Sequence, residues 1–388
     1  MIIPFKGLGS VGVNKDAPAH ELAPPMWTDA TNMRFISGAA EQFLGHAQVY
    51  GTPSIVPYHV TPVSVSGDQY WLVAGSAKLY SVTGTTWTNI TRQTASVDVD
   101  YTAVRNGWTS TILGGIPIFN NGNDAPQQWL LTGKATALSA WPASTTCAVM
   151  RAFGPFLIAM DVTKPGGRYP YMVKWSTRAD PGSVPATWDE TDATADAGEF
   201  DLSEGYDYII DGQTLRGSFM IYKRSSVWRI NEVGGVFIFS KQKSLGTSGS
   251  LAKNCIVEVD GFHVVLTHED VIMHDGNTSR SLLDGRARRH LFSTLDPTYY
   301  ERAFVTKNPQ YNEVWVCYPS TGNSVCNRAL VWNWKEDTIG FRDLPNVNHA
   351  APGPVNTDST GDTWTTISGT WARSEERRVG KECLRLCR

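Results

Sequence analysis

Apolar residues recur along this chain in paired short runs. Each pair is a run of five or six mostly apolar positions, a polar turn of about four, and a second run that closes on an apolar or aromatic residue. Gln69-Tyr70-Trp71-Leu72-Val73-Ala74 followed by Leu79-Tyr80 is one copy. Ser218–Tyr222 with Val227-Trp228-Arg229-Ile230, Phe262–Leu266 with Val271-Ile272-Met273, and Glu313–Cys317 with Ala329–Trp332 are three more. Weaker copies begin at Ile116-Pro117-Ile118-Phe119 and Phe156-Leu157-Ile158-Ala159. Runs this short are strand-length, and the polar residues between them are hairpin turns. Successive copies lie roughly 40–60 residues apart, the interval at which β-propeller blades repeat. The pattern therefore predicts an all-β chain, a β-propeller with about five or six visible blades. Tyr80, Trp228 and Trp332, at corresponding blade positions, are expected in the layers between blades.

The periodic region is expected over residues 45–372, with an extended arm over 1–44. The arm carries Ala17-Pro18 and Ala23-Pro24-Pro25, and each proline removes a donor and biases its predecessor toward extended backbone. A polar stretch over 176–206 is too long for a plain hairpin loop and reads as a partner-facing insertion. The one short helix expected lies within 293–303.

The C-terminus alters the composition. Residues 373–383, Arg-Ser-Glu-Glu-Arg-Arg-Val-Gly-Lys-Glu-Cys, match the translation of a common sequencing-library adapter, so 373–388 is read as a non-native tail and the propeller as C-terminally truncated. Without that tail the chain has 28 Lys+Arg against 34 Asp+Glu, a formal charge of −6. An acidic body disfavours phosphate binding as the main source of affinity. Four cysteines remain, Cys147, Cys255, Cys317 and Cys326, read as reduced thiols of a protein made in the cytosol. No apolar stretch of about 18 residues is present, so no membrane insertion by this chain is expected.

Candidate chemistry is sparse. Gly7-Leu8-Gly9-Ser10-Val11-Gly12 matches the dinucleotide fingerprint by letter, but Val13-Asn14-Lys15-Asp16-Ala17-Pro18 follows where a helix is needed, so no cofactor is expected. His263, His268, Glu269, Asp270 and His274 are metal-ligating types without metal-site spacing, with His268-Glu269-Asp270 assigned to a turn. Arg286, Arg288 and Arg289 form the native basic cluster, a candidate contact for DNA or an acidic partner and otherwise a solvated connection. Gly84-Thr85-Thr86-Trp87 and Gly361-Asp362-Thr363-Trp364 resemble the end of sialidase Asp-box turns, but Val82 and Ser359 stand where the defining Asp belongs. No nucleophile comes with a base beside it, and the chain reads as a non-enzyme.

In order, several segments resemble the tail nozzle, or tail-hub, proteins of short-tailed bacteriophages, also described as DNA-stabilisation or tail tubular protein B-like proteins. They are Gly12–Asp16, Glu21–Phe35 and Glu41–His46; Val173–Ser176 with Trp188 and Ala197-Gly198; Trp228–Ile230 to Gly276; and Glu313–Trp315 to Trp334 with Phe341-Arg342-Asp343-Leu344-Pro345. The resemblance implies a structural virion protein of the tail, assembled in the bacterial cytoplasm. It would form a homo-oligomeric ring, six subunits in such proteins, that extends and closes the DNA-exit channel. The implied partners are an adaptor ring on the portal side, a tail fibre or needle, and genomic DNA in transit during ejection. Two other readings stand beside it: a monomeric β-propeller binding module, and a sialidase-like glycoside hydrolase.

Overall fold

The computed structural model describes residues 7–65, 67–205, 207–235, 237–354 and the backbone of 384–387. The first strands are short: β1 (Gly12–Val13), β2 (Met26–Trp27), and the hairpin β3 (Met33–Ile36) and β4 (Ala39–Gln42). The propeller then begins. Blade one is β5 (His59–Val65), β6 (Asp68–Ala74), β7 (Leu79–Thr83) and β8 (Thr86–Asn89), and a small hairpin, β9 (Gln93–Thr94) and β10 (Val97–Asp98), follows it. Blade two is β11 (Thr109–Leu113), β12 (Ile116–Asn120), β13 (Gln127–Gln128) and β14 (Thr136–Ala137). Blade three is β15 (Thr146–Phe153), β16 (Phe156–Lys164), β17 (Gly167–Trp175) and β18 (Gly198–Asp201). Blade four is β19 (Ile209–Leu215), β20 (Ser218–Lys223), β21 (Val227–Glu232) and β22 (Phe239–Leu245). Blade five is β23 (Ile256–Val259), β24 (Phe262–Leu266), β25 (Val271–His274) and β26 (Ser279–Ser281), followed by α1 (Arg288–Thr294). The sixth meander is β27 (Phe304–Asn308), β28 (Glu313–Tyr318), β29 (Cys326–Asn333) and β30 (Thr338–Val347). The first five blades are four-stranded; the sixth is widened to six strands because β1 lies parallel on the edge of β30 and β2 on β1.

The recurring apolar runs are the second strands of the blades, which must bury both faces because each blade leans on two neighbours. On β20 the alternation can be read residue by residue. Phe219 and Ile221 join Phe156, Ile158 and Val173 of blade three, while Met220 and Tyr222 join Ile256, Val265 and Ile272 of blade five. At Gly212 on β19 a Cβ would lie 2.7 Å from the Phe219 ring of its own blade and 2.9 Å from the Met160 methyl of blade three, so the glycine leaves room for both side chains between the blades.

Several expectations are corrected or refined. Residues of the 1–44 arm are docked on blade six: Val13 and Phe35 are buried in the core shared by blades five and six, and Phe43 lies against Trp315 on the opposite face. The 176–206 stretch is not one partner-facing loop. It contains β18, and its loop is pinned by Trp188, 1% exposed in the core between blades two and three, and by buried Lys174, paired with Glu190 and Glu199. The α-helix begins earlier than expected, at Arg288; only a 3-10 turn, Tyr300–Arg302, falls later in 293–303. Of the three inter-blade aromatics only Trp332 is fully enclosed. Trp228 is half-buried against the core between blades three and four, and half-buried Tyr80 meets Trp87 edge-on. The four cysteines are buried free thiols.

After β30 the chain enters β31 (His349–Pro352), which lies between β27 and β5 at the inner end of the ring and closes it. Ala350 joins the core of blade six and Ala351 that of blade one, and β31 pairs antiparallel with β32 (Leu384–Cys387). Residues 355–383, including the Gly361–Trp364 turn and most of the 373–388 tail, lie outside the described residues.

Phe219 is fully buried between two blades, whereas Phe237, at the tip of the β21–β22 turn, is 77% exposed. Phe219→Ala is expected to cost about 3–5 kcal/mol and Phe237→Ala to change stability by less than about 0.5 kcal/mol, read from urea denaturation midpoints.

Candidate functional site

Two polar constellations are built into the fold. One lies on the propeller axis. Arg151 of β15 makes a bidentate pair with Asp211 of β19, Nε to Oδ1 at 2.9 Å and Nη2 to Oδ2 at 2.8 Å. The same guanidinium donates to the Ser110 carbonyl and to Asn254 Oδ1. Asn254, just before β23, donates its backbone N–H to Asp211 Oδ2 and its side-chain N–H to Asn106 Oδ1 and the Trp108 carbonyl. Asn106 Nδ2 reaches the carbonyls of Lys253, Glu301 and Ala303. Both asparagines have positive φ, 54° and 60°, a region this residue type tolerates. Bonds from the start of blade two to the start of blade five join opposite sides of the ring, so the network crosses the axis. Lys253, whose amine donates to the Ala148 carbonyl, is held below its ordinary pKa by burial. This hub ties five blades together and occupies the place where a propeller channel would run.

The second constellation clamps the arm to blade six. Arg34 of β3 bonds Glu313 of β28, Nε to Oε1 at 2.9 Å, with the side chains 3% and 1% exposed. Glu313 Oε2 also accepts from Trp315 Nε1 at 2.9 Å. The Arg34 guanidinium lies 3.5 Å over the Tyr311 ring and 4.6 Å over that of Phe43. Arg342 of β30 stacks on Phe43 and Trp315 and donates to the Leu44 carbonyl at 2.8 Å. Asn32 and Asp343 exchange two hydrogen bonds. Gly12 fits against β30, where a Cβ would lie 2.4 Å from the Ile339 oxygen. Segments some 300 residues apart, Asn32–His46 and Glu313–Pro345, thus form one structure.

The residues singled out by sequence fall in different surroundings. Arg286 pairs with Asp337 at 3.0 Å; Arg288 pairs with Asp270 and Asp284 at 3.0 Å; Arg289 is exposed. Arg286 and Arg288 thus have intramolecular carboxylate partners, and the Arg288 side chain is still 40% exposed. His268-Glu269-Asp270 does form the β24–β25 turn, and no metal-holding group of side chains occurs among the described residues. His263 and His274 instead face Tyr222. Gly276 N–H donates to His274 Nδ1, leaving His274 Nε2–H to donate to the Tyr222 oxygen at 2.7 Å. The Tyr222 hydroxyl in turn donates to His263 Nδ1, and His263 Nε2–H donates to the Thr214 carbonyl. Burial holds His263 down at about 4 and His274 at about 3. The Gly84–Trp87 turn joins β7 to β8, with Trp87 bonded to the Tyr50 carbonyl. An open groove of about 420 Å³ beside Trp141, lined largely by Ala137, Leu138, Pro142 and Ala143, carries no titratable group.

Comparison with known proteins gives fold likeness only. No family model matches the chain. No curated protein matches it. Among solved structures it is similar to the dihydro-heme d1 dehydrogenase NirN (10% identity, TM-score 0.40), covering 77% of this chain and 56% of that one. It is similar to the Neurospora crassa Pan2 WD40 domain (9% identity, TM-score 0.44), covering 80% and 88%, and to apo AztD from Citrobacter koseri (10% identity, TM-score 0.40), covering 79% and 89%. The chain spans little more than half of NirN.

Arg34→Ala strands Glu313 beside Trp315 without its cation. It is expected to destabilise the protein by about 3–5 kcal/mol and to open the arm to limited proteolysis near Leu44, with Arg34→Lys intermediate. Acid acts on the Tyr222 cluster through imidazoles that stay neutral when folded. Their pKa values are depressed, so the unfolded chain binds more protons; their stabilisation is intact above about pH 6.5 and drains away as the pH falls toward 4 and 3. Urea midpoints from pH 7.5 to 4.5 are expected to fall, and the slope to shrink in His263→Gln/His274→Gln.

Proposed function

We propose that this chain is a structural protein of a short-tailed bacteriophage tail, one subunit of a ring that extends and closes the DNA-exit path. The observation that carries this reading is the arm clamp. The segments bearing the nozzle-protein resemblance, Glu21–Phe35 and Glu41–His46 at one end and Glu313–Trp315 and Phe341–Pro345 at the other, come together around Arg34, Phe43, Glu313 and Arg342. A shared sequence pattern has a physical reason when its distant parts build one joint.

In this reading the DNA path runs between subunits, because the hub of Arg151, Asp211, Asn106 and Asn254 crosses each propeller's own axis. Duplex DNA slides past a wall that does not hold its phosphates, and the acidic balance of residues 1–372 supports such a wall. The propeller supplies a stiff body between an adaptor ring on the portal side and a fibre or needle on the other. The chain's work is then mechanical rather than chemical, performed in the virion. Phe341-Arg342-Asp343-Leu344-Pro345 also resembles, with one extra residue, the sialidase Phe-Arg-x-Pro motif, but Arg342 is stacked and 3% exposed where a substrate-binding arginine would line a cleft, so a sialidase-like role draws no support from it.

The test is assembly. Co-expressed with the adaptor-ring protein of the same genome, the protein is expected to form a closed ring by negative-stain electron microscopy, six subunits by light scattering, with a negatively charged lumen. A monomer at high concentration, with and without the adaptor, would leave the propeller binding module as the better reading. A strongly basic lumen would defeat the sliding account.

A further inference from the structure

The strand that closes the propeller, β31, lies against β5 and β27 and pairs with β32, and a pair of histidines sits at its seam with β5. His349 of β31 stacks on His59 of β5 with ring centroids 4.1 Å apart. His349 Nδ1 accepts the Val60 N–H at 3.4 Å, and His59 Nε2 bonds the Ser110 hydroxyl at 2.7 Å, which also meets Thr61 Oγ1. The Phe304 ring of β27 lies 5.5 Å from His349. Nδ1 of His349 is an acceptor here, so protonating it replaces a hydrogen bond with two opposed N–H groups.

The charged groups around the pair offer no compensation. Arg151 of β15 is a cation whose field lowers both histidines. The carboxylate nearest it, Asp211 of β19, is already taken by that guanidinium and by the Asn254 N–H. Arg105 reaches Asn348, the residue before β31. On β27, Lys307 turns to Glu258; on β30, Arg342 is stacked on aromatic rings and Asp343 bonds Asn32. No carboxylate among the described residues bonds either imidazole.

We infer that β31 is an acid-sensitive latch: the propeller ring opens between β31 and β5 when His59 and His349 protonate, before the blades themselves unfold. Two cations at stacking distance, with Arg151 beyond them, repel across the seam, and they work against the apolar contacts of Ala350 and Ala351 and the two flanking bonds, Asn348 to the Pro57 carbonyl at 2.7 Å and Trp71 to the Pro354 carbonyl at 3.1 Å. Other blades are joined by second strands buried on both faces, which a neighbouring charge does not part. Burial, with the Arg151 charge behind it, holds His349 at about 3 and His59 well below its usual value while the latch is shut.

The sign follows from the same facts. Both groups bind protons more weakly closed than open, so closure is favoured above about pH 6.5 and lost progressively below it. Between pH 7.5 and 5.0 the opening equilibrium should rise about 30-fold for each histidine freed to titrate, about 10³-fold for the pair. Native-state hydrogen exchange on the full chain tests this. Protection factors of the β31 and β5 amides are expected to fall by that factor at pH 5.0, while β15, β19 and β20 keep theirs. His59→Gln/His349→Asn, which retains the acceptor toward Val60 and cannot charge, should keep the seam protected at pH 5.0. His349→Lys should loosen it at pH 7.5. A uniform decline over all blades in the wild type, or the same β31 pH profile in wild type and the uncharged double variant, would overturn the latch.

Discussion

A four-stranded sheet with two apolar faces cannot stand alone in water, and this constraint organises the molecule. Phe219 and Ile221 cannot be covered from the side that covers Met220 and Tyr222. Each second strand therefore demands a blade on either side, and the demand is met by bending the series into a ring. Everything polar in the interior is subordinate to that ring. Arg151, Asp211, Asn106 and Asn254 sit where the inner strands converge, and the buried Asp211 carboxylate there is satisfied by the Arg151 guanidinium and the Asn254 N–H.

A ring built from an open chain needs a closure, and closure is where the fold departs from repetition. Blade six borrows strands from the N-terminal arm, so chain ends are fastened to each other through Arg34, Glu313 and the aromatic rings around them. The adjoining seam, where β31 meets β5, carries two alanines, a histidine stack and the bonds of Asn348 and Trp71 to the Pro57 and Pro354 carbonyls. Buried ion pairs favour specificity of docking over net stability. The clamp and the latch thus differ in kind: one is a fixed-charge joint, the other a joint whose charge follows the solution.

The repeat was legible because a strand buried on both faces shows itself as an unbroken apolar run, and all six such runs are second strands of blades. Boundaries were less legible where polar residues are consumed by packing. Lys174 and Glu190 look like surface residues in the sequence, yet they fasten the loop over blade three. Arg286 and Arg288 look like a free basic cluster until Asp337, Asp270 and Asp284 arrive from other segments. Asn106 and Asn254 carry no sequence signal beyond a polar residue ahead of an inner strand.

Features that depend on neighbours along the chain could be read directly from it: strand runs, turns, the acidic balance and the spacing that makes a propeller. Features that need residues remote in sequence to meet in space emerge only with the closed ring. Glu313 finds Arg34 and His349 finds His59 across some 280–290 positions. The reason is physical. Hydrophobic periodicity is a local property of strand geometry, whereas a charge or an imidazole takes its character from whichever distant group closure of the ring places beside it.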